Sequence, residues 1–298
     1  MAYILNPIQY WSRYFLYPHL LQNLAEPLDL GMQFTSETFT ASDGVSVASY
    51  VIRQSKQSAQ MMAESTWRED YLEEVDMIEP PENYDKPAVA TVILFHGNAC
   101  NYGDMIYRAK RFVLRRCNVV LLSYRGYVNS EGRPSEKGLR RDAQAALEYV
   151  RADTELSSTP LILYGTSLGG AVAIDLASRN PSSVAALIVE NTFQSIRRTI
   201  LDWSPIFHLV PCSEKWNSAS KIPGIQRTMP ILMLSGALDQ VVRKDQMERL
   251  WEIACKRGGG GGASLDQFES FPRGSHDDTD TCTGYWDKVG EFLESVTE

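Results

Sequence analysis

Several patterns are missing from this 298-residue chain, and each absence removes a class of explanation. Its five cysteines (Cys100, Cys117, Cys212, Cys255 and Cys282) are scattered, odd in number and never spaced C-x-x-C. That argues against a disulfide framework or a zinc site and reads as ordinary reduced thiols. No Asn-x-Ser/Thr acceptor occurs, in keeping with a reducing, cytosolic side. No uninterrupted run of about 18 apolar residues is found, so no transmembrane helix is expected, and no secretory signal stands out. Clustered lysine and arginine are lacking, and a net charge of −8 with a pI near 5.2 speaks against a nucleic-acid partner. Neither a G-x-G-x-x-G nor a P-loop pattern sits at a strand end and no metal-ligating constellation is apparent, so no cofactor and no metal are expected. Histidine numbers only four: His19, His96, His208 and His276.

What is there fits a folded enzyme-sized chain, 44% hydrophobic, with one core domain over 35–298. Residues 1–34 form an aromatic-rich segment with Tyr3, Tyr10, Trp11, Tyr14, Phe15 and Tyr17. It suits a membrane–water interface, where rings with polar tips are favoured, or equally the domain's own surface. Alternation over 37–40 and 45–51 around Ala41-Ser42-Asp43-Gly44 predicts a β-hairpin at an antiparallel edge. Residues 53–86 are polar and acidic without a period, a surface insertion. From Val89 onward, apolar strand, loop and helix alternate, with strands expected at 92–95, 119–123, 161–164, 186–189, 231–234 and 267–271. Continuous aliphatic runs are what a sheet buried on both faces needs, and Leu139, Ala143, Ala146, Leu147 and Val150 keep the spacing of one helix face. The expected fold class is therefore α/β, with a mostly parallel sheet and helices on both faces.

Gly165-Thr166-Ser167-Leu168-Gly169 lies between the run 161–164 and the helix-like Ala171-Val172-Ala173-Ile174-Asp175-Leu176-Ala177. G-x-S-x-G at a strand-to-helix turn is the nucleophile elbow, so Ser167 is a candidate nucleophile. A serine hydroxyl needs a base, and the base an orienting acid. In elbow hydrolases the chain order is nucleophile, acid, histidine. His276, in the loop after the last expected strand, meets that order; His208 does so weakly. Asp239, just past the strand 231–234, is the candidate acid, with Glu190, Asp277 and Asp278 as competitors. The oxyanion hole is expected from the main-chain N–H groups of Leu168 and of Asn98, the latter in His96-Gly97-Asn98-Ala99 after the strand 92–95. His96 itself reads as structural.

These motifs, together with Ser123-Tyr124-Arg125-Gly126-Tyr127, the stretch from Glu131 to Gly138, Glu190-Asn191-Thr192-Phe193, Glu214-Lys215-Trp216 and Gly284-Tyr285-Trp286, resemble the α/β-hydrolases. More narrowly, the chain is similar to the α/β-hydrolase domain-containing 13 type and its fungal bud-emergence-protein relatives, from about residue 35 onward. The resemblance implies the eight-stranded α/β-hydrolase sheet, with Ser167, Asp239 and His276 at the positions of the family's catalytic triad. It also implies a tie to membranes, since such relatives usually begin with an anchoring helix. Here Tyr14-Phe15-Leu16-Tyr17-Pro18 looks like the segment that follows the anchor, and the anchor is expected to be absent or missing from this version. The acidic insertion and the glycine-rich loop at 258–262 are further departures.

The stretch between Glu190 and Ile231, about 40 residues, exceeds most α/β connections. A small lid at 193–228 is expected there, with Trp203 and Phe207 lining an acyl groove or, alternatively, closing the core. The sequence thus points to a serine hydrolase of carboxylic esters or thioesters. Its substrates would be S-acyl (palmitoyl) proteins, by analogy with depalmitoylases that share the His-Gly-Asn-Ala and Pro-Ser-Glu-Lys stretches, with lipid esters and small esters left open. A location on the cytosolic side of a membrane fits best, with a soluble cytoplasmic protein as the alternative. The competing class is a catalytically silent hydrolase fold used as a membrane-associated scaffold, against which the complete Ser, Asp and His set argues.

Overall fold

The computed structural model describes residues 25–27, 31–55, 86–203, 216–259 and 265–297. The aromatic segment up to residue 24, most of the 53–86 insertion, His19, His208, Phe207, Cys212 and residues 260–262 of the glycine-rich loop lie outside the described residues.

The expected hairpin is present as β1 (Thr35–Thr40) and β2 (Ser46–Ile52), antiparallel with Thr40 opposite Ser46. Gly44, at φ 81°, supplies the left-handed residue its turn requires. Strands and helices then alternate: β3 (Ala90–Phe95), α1 (Ile106–Val113), β4 (Cys117–Leu122), α2 (Glu136–Ala152), β5 (Leu161–Thr166), α3 (Leu168–Arg179), β6 (Ala186–Glu190), α4 (Ile196–Trp203), α5 (Ser218–Lys221), β7 (Ile231–Gly236), α6 (Lys244–Lys256), β8 (Gln267–Phe271) and α7 (Tyr285–Thr297). They form one eight-stranded sheet in the order β1-β2-β4-β3-β5-β6-β7-β8. β2 meets β1 and β4 antiparallel, and every other neighbouring pair is parallel.

β3 to β7 are fully buried along their apolar runs apart from the half-exposed Thr166, so each sends alternate side chains into a core on either face. Ile93 and Phe95 meet α2, α3 and α6 on one face through Leu139, Leu147, Val172, Ile174, Met247 and Leu250. Val92 and Leu94 meet α1 and α7 on the other through Ile106, Phe112, Trp286, Val289 and Phe292. This double burial explains the continuous aliphatic runs in the sequence.

The strands fall within two residues of the expected bounds, and at two of their ends the reason for the shift is visible. Ser123 is not in β4: its N–H donates to the Ala48 carbonyl and its hydroxyl to the Val128 carbonyl, which turns the chain into the next loop. β7 runs on through Ser235 and Gly236 because β8 pairs with both, Ser235 opposite Ser270 and Gly236 opposite Phe271. The chain reverses its direction of travel across the sheet between β3 and β5, which are direct neighbours. Loops leaving the carboxyl ends of two such strands diverge and leave a crevice, the usual place for a site in an open α/β sheet.

Candidate active site

Ser167 occupies the turn between β5 and α3 at φ 51° and ψ −116°, a backbone conformation costly for any residue with a Cβ. The turn is tight enough that its glycines cannot be replaced without displacing backbone. A Cβ on Gly165 would lie 2.2 Å from the Gly169 carbonyl oxygen, and one on Gly169 would lie 1.9 Å from the Phe95 carbonyl oxygen. The helix and the neighbouring strand can approach this closely only over bare Cα atoms. The Ser167 N–H donates to the Glu190 carbonyl at 2.9 Å, and the Ser167 carbonyl accepts the Thr192 hydroxyl at 2.7 Å. Gly170 is the first residue to donate its N–H back to Ser167, at 3.1 Å. Leu168 therefore opens the helix in the turn whose amides lack an intrahelical acceptor and where the helix dipole is positive.

Three residues far apart in the chain meet here. His276 Nε2 lies 3.1 Å from Ser167 Oγ, and His276 Nδ1 lies 2.7 Å from Asp239 Oδ2. The other carboxylate oxygen of Asp239 accepts the N–H groups of Val241 and Val242, both at 2.8 Å, so the carboxylate is fixed with one oxygen left for the ring. Asp239 is 8% exposed, and its bond to the ring selects the tautomer that carries a proton on Nδ1 and a lone pair on Nε2. Burial opposes charging of His276, but the Asp239 carboxylate, aided by Asp277 and Glu190, outweighs it and raises the imidazole pKa above 6.5.

Two of the competing acids, Glu190 and Asp278, are occupied elsewhere. The buried Glu190 carboxylate accepts from the hydroxyls of Tyr164 and Tyr285, the latter at 2.6 Å, and faces Arg108 at 3.4 Å. Arg108 also pairs with Asp280 at 2.9 Å. Asp278 accepts the Ser275 N–H at 2.6 Å. The loop after β3 passes directly over the elbow, since a Cβ on Gly97 would sit 3.7 Å from Ser167 Cβ. Asn98 follows, its side-chain oxygen accepting the Tyr127 hydroxyl at 2.9 Å, which holds the loop carrying its main-chain amide. His96 is fully buried beneath, its ring tilted at 39° against Tyr124 with centroids 4.2 Å apart and Nδ1 2.8 Å from the Gly97 carbonyl oxygen. Burial lowers its pKa to about 4, so it is a neutral packing residue near pH 7.

Trp203, at the end of α4, is half-buried and donates its indole N–H to the Val241 carbonyl at 2.9 Å, two residues beyond Asp239. Phe207 lies outside the described residues. Elsewhere in 193–228, Phe193, Trp216, Ile222 and Ile225 are buried in the core on the α3 side of the sheet. Sequence reasoning gave no role to Asn191, Thr192 or Thr279, which hold the loops of the site from below. Two signals were available: Asn191 and Thr192 directly follow β6 at the end where the site must lie, and both belong to the stretch Glu190-Asn191-Thr192-Phe193 that carries the family resemblance. Among the described residues no helix is long and apolar enough to cross a membrane.

Comparison with known proteins agrees with this fold. The family described as Serine aminopeptidase, S33 matches residues 86–216. Protein bem46 of Schizosaccharomyces pombe is 34% identical over 276 residues, covering 91% of this chain and 80% of the relative. An uncharacterized membrane protein of Saccharomyces cerevisiae is 39% identical over 215 residues, covering 69% of this chain and 71% of its own. The alpha/beta hydrolase domain-containing protein WAV2 of Arabidopsis thaliana is 35% identical over 222 residues, covering 68% and 70%. Among solved structures, an esterase of Pyrococcus furiosus superposes with a TM-score of 0.68 at 16% identity, over 94% of this chain and 96% of that one. An alpha-beta hydrolase of Vibrio vulnificus does so with a TM-score of 0.66 at 18% identity, over 97% and 94%. At such identities the likeness is one of fold.

Proposed function

Because the chain belongs to the α/β-hydrolase family, with bem46 among its relatives, we propose that it is a serine hydrolase cleaving carboxylic esters or thioesters through an acyl-enzyme on Ser167. The observation that carries this reading is the unbroken chain of contacts from Ser167 Oγ to His276 at 3.1 Å and from His276 to Asp239 at 2.7 Å, on a strained elbow.

Neutral His276 takes the Ser167 proton on Nε2 as Oγ attacks the acyl carbon, and the Asp239 carboxylate stabilises the imidazolium that forms. The negative charge moves to the former carbonyl oxygen, where the main-chain N–H groups of Leu168 and Asn98 receive it. Donors fixed in place before the charge develops need no reorganisation as it forms, which is why such a hole contributes heavily to rate. The tetrahedral adduct collapses, the C–O or C–S bond breaks, and His276 returns its proton to the departing alcohol or thiol. Water then repeats the sequence on the acyl-enzyme with His276 as base, releasing the acid and restoring Ser167.

The acyl group is that of an S-acylated protein or a lipid ester, held beside Trp203, and the enzyme works at a membrane surface. In support, Trp203 hangs from the loop that carries Asp239. The aromatic N-terminal residues suit an interface, and the relative from Saccharomyces cerevisiae is described as a membrane protein. The test is to label purified protein with a fluorophosphonate and compete with palmitoyl thioester peptides, lipid esters and short esters. Labelling of wild type that is lost in Ser167→Ala and suppressed best by long acyl chains is expected. An unlabelled wild type would leave the scaffold reading, and labelling without any competition would remove the substrate class.

A further inference from the structure

Glu190, Asn191 and Thr192 follow one another at the carboxyl end of β6, and together they touch all three loops that carry Ser167, Asp239 and His276. Glu190 and Thr192 grip the elbow from either side through the Ser167 N–H and carbonyl. Asn191 reaches the other two loops with a single side chain that is 1% exposed. Its Oδ1 accepts the Gly236 N–H at 2.8 Å, at the end of the strand that leads into Asp239. Its Nδ2 faces the Ser275 carbonyl at 3.0 Å, the His276 carbonyl at 3.2 Å and Thr279 Oγ1 at 2.9 Å.

The surroundings fix which way this amide points. An N–H donor lies only at Oδ1 and oxygens lie only at Nδ2, so a flipped amide would oppose like to like on both sides. The Thr279 hydroxyl spends its proton on the Ser275 carbonyl at 2.5 Å and so presents a lone pair to Nδ2. The backbone at Asn191 is left-handed, φ 44°, a conformation asparagine tolerates better than most residues. Below the amide the two loops are in contact: a Cβ on Gly236 would lie 2.4 Å from Thr279 Oγ1. Asn191 is thus the only side chain hydrogen-bonded both to the strand end before Asp239 and to the backbone of His276 itself, among the described residues.

We propose that Asn191 is a positioning residue that sets the separation of Asp239 from His276, and through it the aim of His276 Nε2 at Ser167 Oγ. The proposal rests on the acyl-transfer reading above, in which both distances must be held for proton transfer. A tether of this kind acts on kcat by geometry and leaves substrate binding alone. It also acts on the imidazole through its charged neighbours. Asp239 on the loop after β7, Asp277 beside the ring and Glu190 on β6 favour the imidazolium, and Arg108 and Asp280 stand behind Glu190.

The experiment compares wild type, Ser167→Ala, Asn191→Gly and Thr279→Val for thermal unfolding, for the pH dependence of fluorophosphonate inactivation, and for kcat and KM on one reactive ester. Glycine keeps the left-handed backbone and removes the tether, whereas valine removes one of its anchors with little change of shape. In Asn191→Gly, inactivation and kcat are expected to fall by about tenfold or more with KM unchanged, and the acidic limb is expected to move to lower pH as the ring loses Asp239. For Thr279→Val, which also decides the matter should the glycine variant not fold, a fall of about threefold in the same direction is expected. Wild-type rates and an unshifted limb in the folded variants would overturn the positioning role, whatever happens to their melting temperature. A wild type as inert as Ser167→Ala would instead overturn the nucleophile reading, so the two failures are told apart.

Discussion

Replacing Ser167 by glycine is expected to stabilise the protein relative to Ser167→Ala while both variants are inactive. Ser167 sits at φ 51° and ψ −116°, where a Cβ is crowded by its own backbone, and such a residue carries about 1–3 kcal/mol of strain. Both variants lose the hydroxyl and its 3.1 Å contact with His276 Nε2, so that contribution cancels in the comparison. What differs is the Cβ, which alanine keeps and glycine removes. Against the relief stands the larger conformational freedom of glycine in the unfolded chain, about 0.5–1 kcal/mol. Ser167 is half-buried, so the lost methyl costs little packing. Taken at mid-range, the balance favours glycine by about 1 kcal/mol, which at roughly 2–4 °C per kcal/mol for a domain of this order of size is measurable by thermal or urea unfolding. A glycine variant equal to or less stable than the alanine variant would refute the claim that the elbow stores strain.

Asp239→Asn is expected to cut kcat/KM by about 10³–10⁴-fold, since the amide supports the wrong ring tautomer. In wild type, kcat/KM is expected to rise with pH through an apparent pKa above 6.5, because Asp239, Asp277 and Glu190 favour the imidazolium and only the neutral ring is a base. Stability runs the opposite way over that window: the His276 contribution is complete below pH 6.5 and is lost as pH rises through the raised folded pKa, which urea unfolding across pH checks. Gly169→Ala should destabilise by about 3 kcal/mol or more, because the 1.9 Å approach is to backbone. Gly224→Ala, with nothing within 4 Å, should be near neutral in the same denaturation assay. In an NMR titration, His96 is expected to stay neutral down to about pH 5, as its burial lowers the pKa to about 4, whereas His276 titrates above 6.5.

The sheet was legible in the sequence because burial on both faces leaves a direct mark, an unbroken aliphatic run such as Leu161 to Tyr164. The elbow was legible because its geometry admits only glycine at Gly165 and Gly169. His276 stood out through the scarcity of histidine, a matter of elimination rather than of local pattern. Strand ends were less legible, since β7 continues to Gly236 only because β8 lies beside it. The competition between Asp239 and Glu190 stayed open for the same reason. Arg108, Tyr164 and Tyr285, which occupy Glu190, come from α1, β5 and α7 and share no sequence neighbourhood with it. Asn191 is the clearest case, because its partners lie 45 to 88 residues away and nothing in its own neighbours announces them.

In the proposed reaction Ser167 forms a covalent acyl intermediate with His276 as its base. The measurement that meets it most directly is mass spectrometry of the protein quenched during turnover of an activated ester, with the adduct located by peptide mapping. A single acyl group on Ser167 is expected, formed faster above pH 7 than below it, absent in Ser167→Ala and strongly slowed in His276→Ala. Hydrolysis with no adduct on Ser167, or an adduct that survives Ser167→Ala, would contradict it.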